Sequence, residues 1–146
     1  MDLQRAESLV WELLGQHDLV EKGWRFEWMR AKSKLGMCRY FLKTIYLSKP
    51  VTTVNDEAAV RNTILHEIAH ALVGPMHGHD HVWKAKAIEI GCNGERTGTI
   101  TDYQKLAKYK YSAPCGSTFF TNRRLQNLEY RYCKCCHGKL TLSINR

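Results

Sequence analysis

Apolar side chains recur at steps of three and four residues in three segments, which is the spacing of one helical face. Residues 3–15 carry this pattern behind Asp2, whose carboxylate suits a helix N-cap. Residues 55–73 carry it next, and Gly74 marks the end of that run. Residues 80–90 form a third and shorter run. The sequence therefore predicts three helices, each burying one face against a core.

A period of two, typical of half-buried strands, appears elsewhere in the chain. Residues 24–28 alternate aromatic and charged side chains, and residues 37–47 hold one or two further strand-like stretches. Two short stretches, residues 117–121 and 140–144, have the same character within an otherwise loop-rich region. This mixture of helices and strands predicts an α+β fold.

The composition is that of a globular protein, with 146 residues of which 44% are apolar and 25% charged. This length suits one domain with a small appended module, and we place the boundary between residues 1–100 and 101–146. No stretch approaches the roughly 18 apolar residues of a membrane span, and the N-terminal residues lack the apolar run of a secretory signal. We therefore expect an intracellular protein with no membrane partner, whose six cysteines stay reduced and suit metal binding better than disulfides.

Positive charge is concentrated in the C-terminal module. Residues 101–146 carry nine lysines or arginines against two acids, and the whole chain has a net charge of +8. A basic surface of this kind favours a polyanion such as nucleic acid, and a merely solvated surface is the alternative. The side chains that we expect to contact phosphate are Lys105, Lys108, Lys110, Arg123, Arg124, Arg131 and Lys134.

The second helical run contains an H-E-x-x-H motif, formed by His66, Glu67 and His70. Two histidines four positions apart lie on one face of a helix, so both imidazoles can reach a single zinc ion. Glu67 lies on the flank of the same face, where a carboxylate can take a proton from metal-bound water. The motif predicts a catalytic zinc site, and the alternative is a pair of histidines that bind no metal.

A catalytic zinc usually has three protein ligands, so the motif needs one more. Four downstream residues can supply it: His77, His79, His81 and Glu89. We favour His79, because it follows Gly78 at the start of the third helix, where a loop can swing back towards the motif. Glu89 would instead give the set of two histidines and one glutamate that other zinc proteases use, and spacing alone leaves it open.

Together these motifs resemble the SprT-like metalloprotease domains, the family that includes bacterial SprT and the catalytic domain of Spartan. The matching segments are residues 24–28, 35–40, 45–48, 66–70, 77–79, 83–84 and 130–140. The resemblance implies a zincin-like core of a helix, a small antiparallel sheet, the H-E-x-x-H helix and a second ligand helix, followed by a zinc-ribbon-like segment. It also implies that His79, in a Gly-His setting before an aromatic residue, is the third ligand.

The zinc-ribbon-like segment departs from the family pattern. Three cysteines fit that pattern: Cys115, Cys133 and Cys136. Ser112 stands where the family has its first cysteine, and a closed structural zinc site normally has four ligands. Either Cys135 or His137 completes a second, structural zinc site, or the segment folds without metal.

The resemblance further implies a zinc-dependent endopeptidase in which Glu67 activates a zinc-bound water. Likeness to Spartan implies protein substrates that are bound or crosslinked to DNA, and a role in the repair of such crosslinks. The basic module and its aromatic residues suit single-stranded DNA through phosphate contact and base stacking, and the aromatics equally suit a small core. Two alternatives stay open: a nucleic-acid-binding zinc protein with a structural or inactive H-E-x-x-H site, and a protease that acts on one partner without DNA.

Overall fold

The computed structural model describes residues 1–145. Its first compact unit spans Met1–Thr101 and opens with helix α1 (Leu3–Gln16). Asp2 accepts a hydrogen bond from the main-chain nitrogen of Arg5 at 2.8 Å and so caps the helix. The apolar stripe expected from the sequence is buried in the core: Ala6, Leu9, Val10, Leu13 and Leu14.

A three-stranded sheet follows, made of β1 (Arg25–Met29), β2 (Gly36–Arg39) and β3 (Thr44–Ser48). β3 lies in the centre and pairs with β2 in antiparallel fashion and with β1 in parallel. The predicted α+β class is confirmed, but the sheet is mixed rather than antiparallel throughout. Four of the five residues of β3 are buried, which suits the central position in the sheet. β1 therefore pairs with β3 and not with β2, its neighbour in sequence.

Three helices complete this unit: α2 (Lys49–Val54), α3 (Glu57–Val73) and α4 (His81–Glu89). α3 and α4 match two of the predicted helices, and the side chains of Asp56 and Asp80 cap their N-termini. α2 has no counterpart among the predicted helices, because six residues are too few to show a helical period. Within residues 1–145, no helix has the length and apolar content needed to cross a membrane.

The second compact unit spans Asp102–Arg146 and begins with a short helix, α5 (Tyr103–Leu106). Its three strands are β4 (Tyr109–Ser112), β5 (Thr118–Thr121) and β6 (Thr141–Ile144). β4 lies in the centre and pairs with the other two in antiparallel fashion. Tyr111 on β4 is fully buried and stacks on Phe119, with 5.0 Å between ring centroids. Tyr111 therefore belongs to the small core of this unit, whereas Phe119 is exposed and covers it from outside.

Candidate metal centre

Helix α3 has an apolar face and a polar face. The apolar face is buried in the core through Val60, Ile64, Leu65, Ile68 and Ala69. The motif residues His66, Glu67 and His70 instead line a cleft. Gly74 ends the helix with a φ of 89°, a conformation that glycine adopts without the penalty of a side chain. The chain turns there, and the loop that follows returns His79 to the motif.

The three histidine rings converge on one point. Nε2 of His79 lies 3.0 Å from Nε2 of His66 and 3.1 Å from Nε2 of His70. Two imidazole nitrogens bound to one tetrahedral zinc, each about 2.0–2.1 Å from the ion, lie about 3.3 Å apart. The three rings therefore fit a zinc ion that takes one nitrogen from each and leaves a fourth position open.

Burial keeps these rings in their neutral form. Burial and the charges of neighbouring rings lower the pKa of His66 and that of His70 to about 4. The pKa of His79 is also lowered, by burial and by the charge of Arg96. A neutral imidazole is the form that binds a metal ion, so the three rings suit a cation at neutral pH.

The indole of Trp83 packs against all three rings. It is 1% exposed, and its centroid lies 4.6 Å from that of His66, 5.2 Å from that of His70 and 4.6 Å from that of His79. Its Nε1 donates to the main-chain oxygen of His66 at 3.3 Å. Asp80, the N-cap of α4, accepts from the main-chain nitrogen of Trp83 at 3.1 Å. The start of α4 thus holds an aromatic platform against the histidines.

Glu67 is buried at the cleft, with 7% of its surface exposed. Burial raises the pKa of its carboxyl group to about 8, and the charge of Lys34 opposes this rise. Gly36 on β2 lies directly against the carboxylate, because a Cβ atom at position 36 would come within 3.1 Å of both Cγ and Oε1 of Glu67. The glycine therefore lets β2 approach α3 closely and leaves room for this side chain.

An open cleft of ≈ 600 Å³ surrounds the motif. Residues 33–38 and Tyr40, in and around β2, line it together with the polar face of α3. Residues 93–101, which we call the strap, follow α4 and contribute the lining residues Arg96, Thr97 and Gly98. The cleft is large enough for several residues of a polypeptide chain beside Glu67 and the histidines.

Two asparagines fix the strap at its ends. Oδ1 of Asn62 accepts from the main-chain nitrogen of Asn93 at 2.9 Å. Asn55 is 2% exposed, donates to the main-chain oxygen of Thr99 at 3.0 Å and accepts from the main-chain nitrogen of Thr101 at 2.7 Å. Because both asparagines belong to the segment around α3, the strap has a fixed position beside the motif.

The other third-ligand candidates lie outside the histidine group. Nδ1 of His77 lies 3.0 Å from Oδ2 of Asp80, and Glu89 pairs with a lysine of its own helix at 2.7 Å. His81 is exposed as the first residue of α4. Of the four candidates, the structure brings His79 alone to the two histidines of the motif.

Sequence analysis missed several residues of the cleft. These residues are Lys34, Tyr40, Asn62, Thr63 and Arg96. Tyr40 lies in the family-like segment 35–40 without a predicted role, the other four belong to no motif, and all five come from three segments that are far apart in the chain. Tertiary packing alone brings them together, so no local pattern in the sequence reveals them.

In the second unit, three cysteines form a cluster: Cys115, Cys133 and Cys136. The sulfur atoms of Cys115 and Cys133 lie 3.8 Å apart, about the separation of two thiolates that bind one tetrahedral zinc at about 2.3 Å. The main-chain nitrogens of Cys135 and Gly138 each donate to a sulfur of the cluster at 3.4 Å, as outer-shell donors to thiolate ligands do. Hydrogen bonds with Ser117, and then with Cys136 and Cys133, lower the pKa of Cys115 to about 6. Neither Cys135 nor His137 belongs to the cluster of three.

Only two of the seven basic candidates share an aromatic cavity. Arg131 and Lys134 border a cavity of ≈ 450 Å³ that is also lined by Phe119 and Tyr132. The other candidates do not line it: Lys105, Lys108, Lys110, Arg123 and Arg124. Lys105, for instance, lies 3.0 Å from a carboxylate oxygen of Asp102.

Comparison with known proteins gives the chain its family. Residues 4–104 match the SprT-like family. No sequence among curated proteins matches the chain. The crystal structure of the metallopeptidase zymogen of Methanocaldococcus jannaschii jannalysin is similar, with a TM-score of 0.52 and 22% identity over 62% of this chain and 85% of that chain. The likeness confirms the expected metallopeptidase fold, and the family match covers most of the sequence. The chain therefore belongs to the SprT-like family.

Proposed function

We propose that the protein is a zinc-dependent endopeptidase. The observation that carries the proposal is the convergence of three Nε2 atoms beside a buried glutamate in an open cleft. His66, His70 and His79 would hold the ion through neutral imidazoles. Three nitrogen ligands with a fourth position open is the arrangement of catalytic zinc, whereas structural zinc sites are closed by four protein ligands.

The zinc ion supplies two kinds of chemistry when bound, since it lowers the pKa of water to about 7 and polarises a carbonyl group. Glu67 is the general base that takes a proton from the attacking water. The same carboxyl group then delivers that proton to the nitrogen of the leaving amine. Its burial supports this role, because a raised pKa suits a carboxylate that must accept a proton and give it back near neutral pH.

An extended substrate segment would bind along β2. This strand lies at the edge of its sheet and lines the cleft next to Glu67, so one of its sides has main-chain groups free for pairing. Addition of a peptide strand to such an edge gives affinity through main-chain hydrogen bonds and little dependence on sequence. Protein substrates of many sequences are therefore expected, provided that the cleaved segment is unfolded.

We also propose that the substrates are proteins bound or crosslinked to DNA. The support is the basic second unit, in which Arg131 and Lys134 border a cavity lined by Phe119 and Tyr132. Cations beside aromatic rings suit single-stranded DNA, since the cations contact phosphate and the rings stack on bases. In this proposal residues 1–100 form the protease core, and residues 101–146 form a basic module for DNA.

A second, structural zinc is proposed for the cysteine cluster. Cys115, Cys133 and Cys136 would supply three thiolates, and Cys135 or His137 the fourth ligand. Such an ion would stabilise a unit with a small core, since few side chains of the second unit are fully buried. The cluster would then serve folding and not catalysis.

The test is cleavage of a DNA-binding protein, free or crosslinked to single-stranded DNA, by three zinc-loaded proteins. Wild type and Glu89→Gln are expected to cleave the substrate, whereas Glu67→Gln is expected to bind zinc without cleaving. Glu89→Gln is a matched control, because it makes the same change from carboxyl to amide at an exposed residue outside the cleft. Stimulation by DNA would support the DNA role, and equal cleavage without DNA would contradict it. Zinc and DNA binding with no cleavage by any protein would favour the alternative of a nucleic-acid-binding module.

A further inference from the structure

Two cationic side chains line the cleft, where Glu67 is the acidic residue beside them. Lys34 precedes β2, and Arg96 lies on the strap. Both are exposed, and neither forms a salt bridge within residues 1–145. Glu67 is the single acidic residue among the residues that line the cleft. The cleft thus carries more positive than negative charge even before a metal ion binds.

Contacts between the segments bring together the stretches of chain that carry both cations, and both side chains line the same cleft. Gly98 lies against Leu35, because a Cβ atom on this glycine would come within 2.5 Å of Leu35 Cδ2. The next residue of that segment, Gly36, contacts Glu67. Lys34 directly precedes Leu35 in the chain, and Arg96 lies two residues before Gly98. The asparagine bonds at the ends of the strap hold this arrangement in place.

Such cations are unfavourable beside a metal centre. Arg96 lines the same cleft as His79, so its charge would repel a zinc ion held by that ring. A molecule that carries a negative charge and binds in the cleft would balance the positive charge of these side chains. A guanidinium group and an ammonium group both bind carboxylates through charge-assisted hydrogen bonds.

We propose that Lys34 and Arg96 form a subsite for an acidic side chain of the substrate, close to the bond that is cleaved. The inference rests on the proposed protease function and adds a sequence preference to it. A polypeptide that carries aspartate or glutamate next to the cleaved bond would neutralise the subsite. A segment with lysine or arginine at that position would be repelled.

Mapping of cleaved bonds tests the subsite. Zinc-loaded wild type digests an unfolded protein, and mass spectrometry identifies the residues on either side of each cut. We expect aspartate and glutamate to be enriched near the cut. The double variant Lys34→Glu/Arg96→Glu should instead enrich lysine and arginine, and the milder variant Lys34→Gln/Arg96→Gln should show neither preference. An unchanged cleavage pattern in both cleft variants would overturn the proposal.

The matched control is Lys32→Glu/Arg61→Glu. It makes the same change in net charge at two exposed residues that do not line the cleft. We expect it to keep the preference of wild type for acidic residues. If the control also shifts the pattern, net charge and not the subsite sets the preference, and the proposal is wrong.

Peptide binding separates this inference from the protease proposal. The probe is a labelled alanine-rich peptide with two central glutamates, compared with matching glutamine and lysine peptides, and the protein is zinc-loaded Glu67→Gln. We expect the glutamate peptide to bind about fivefold more tightly than the glutamine peptide, as for a partly exposed ion pair, and Arg96→Gln to remove most of the difference. If wild type cleaves nothing while this preference holds, the protease proposal fails and the subsite stands. Loss of oligonucleotide binding in the Arg96 variant with no peptide preference would assign the cations to DNA phosphate and overturn the subsite.

Discussion

At the scale of single residues, the geometry of the centre depends on side chains that are not themselves ligands. Trp83 touches all three histidine rings, and Gly36 leaves the space that Glu67 occupies. The residue types tryptophan and glycine do not by themselves indicate a role in metal binding or proton transfer. Their effect is to restrict the rotamers of the groups that bind metal or move protons, which is how supporting residues tune a metal site.

Trp83 should therefore set the affinity for zinc. Removal of the indole in Trp83→Ala leaves the histidine rings without their packing surface, and we expect zinc to bind about 10- to 100-fold more weakly, with less loss in Trp83→Phe. Competition with a chromophoric chelator measures this, below the melting temperature of each variant. Trp11→Ala is the control, because Trp11 is 38% exposed on α1. Equal affinity in Trp83→Ala and wild type would refute the platform role.

Gly36→Ala should impair cleavage while leaving zinc binding intact. The added methyl group would meet Glu67 and Thr63 at 3.1 Å, so the base must shift by a few tenths of an ångström. A misplaced base costs rate steeply, and we expect kcat/KM to fall about fivefold or more. Gly15→Ala is the control, because nothing lies within 4 Å of its new methyl group. Wild-type kcat/KM in Gly36→Ala would show that the close contact has no bearing on Glu67.

At the scale of elements, the strap links the centre to the rest of the first unit. Its position depends on hydrogen bonds with the side chains of Asn55 and Asn62, and it has no secondary structure of its own. A segment held by a few side-chain bonds opens more easily than a helix or a central strand. A substitution of Asn55 or Asn62 should therefore change the position of the strap and the shape of the cleft.

Asn55→Ala should loosen the strap and destabilise the first unit. The substitution removes two hydrogen bonds to the partly buried main-chain groups of Thr99 and Thr101, which costs about 1–3 kcal/mol in total. Urea unfolding gives the loss of stability, and hydrogen exchange at Thr101 reports local opening. Asn55→Asp keeps an acceptor for Thr101 and should lose less. Protection of the Thr101 amide equal to that of wild type would contradict the anchoring role.

The sequence predicts those elements whose signals are local. α1, α3 and α4 follow from apolar periodicity and aspartate caps, and the spacing of His66 and His70 follows from one helical turn. The order of the strands, the place of the strap and the cleft residue Arg96 depend on packing between distant segments, which periodicity does not encode. The central strand β4 (Tyr109–Ser112) is also not predicted from the sequence, because it is short and pairs with strands that lie further along the chain.

At the scale of the whole molecule, two units carry two candidate metal sites of different kinds. The first has three nitrogen donors beside an open cleft, and the second has three sulfur donors in a unit with a small core. Nitrogen ligands with an open position are typical of catalysis, and closed sulfur sites are typical of structure. We therefore propose catalysis at the first site and metal-dependent folding at the second.

Zinc content should separate these roles. We expect two zinc ions per chain in wild type and one in Cys133→Ser, measured by elemental analysis after dialysis. Chelation should lower the melting temperature, because an ion bound to the folded state alone stabilises it. His79→Ala should lose the first ion and keep the second. Equal zinc content in wild type and Cys133→Ser would exclude a metal ion on the cysteine cluster.

We propose that His66, His70 and His79 bind one zinc ion beside Glu67. The most direct measurement is a crystal structure of the zinc-loaded Glu67→Gln protein with anomalous scattering recorded at the zinc edge. We expect one anomalous peak about 2.0–2.1 Å from Nε2 of each of the three histidines, with position 67 facing the open side of the ion. A peak that involves His77, His81 or Glu89 in place of His79, or no peak at the histidines, would contradict this proposal.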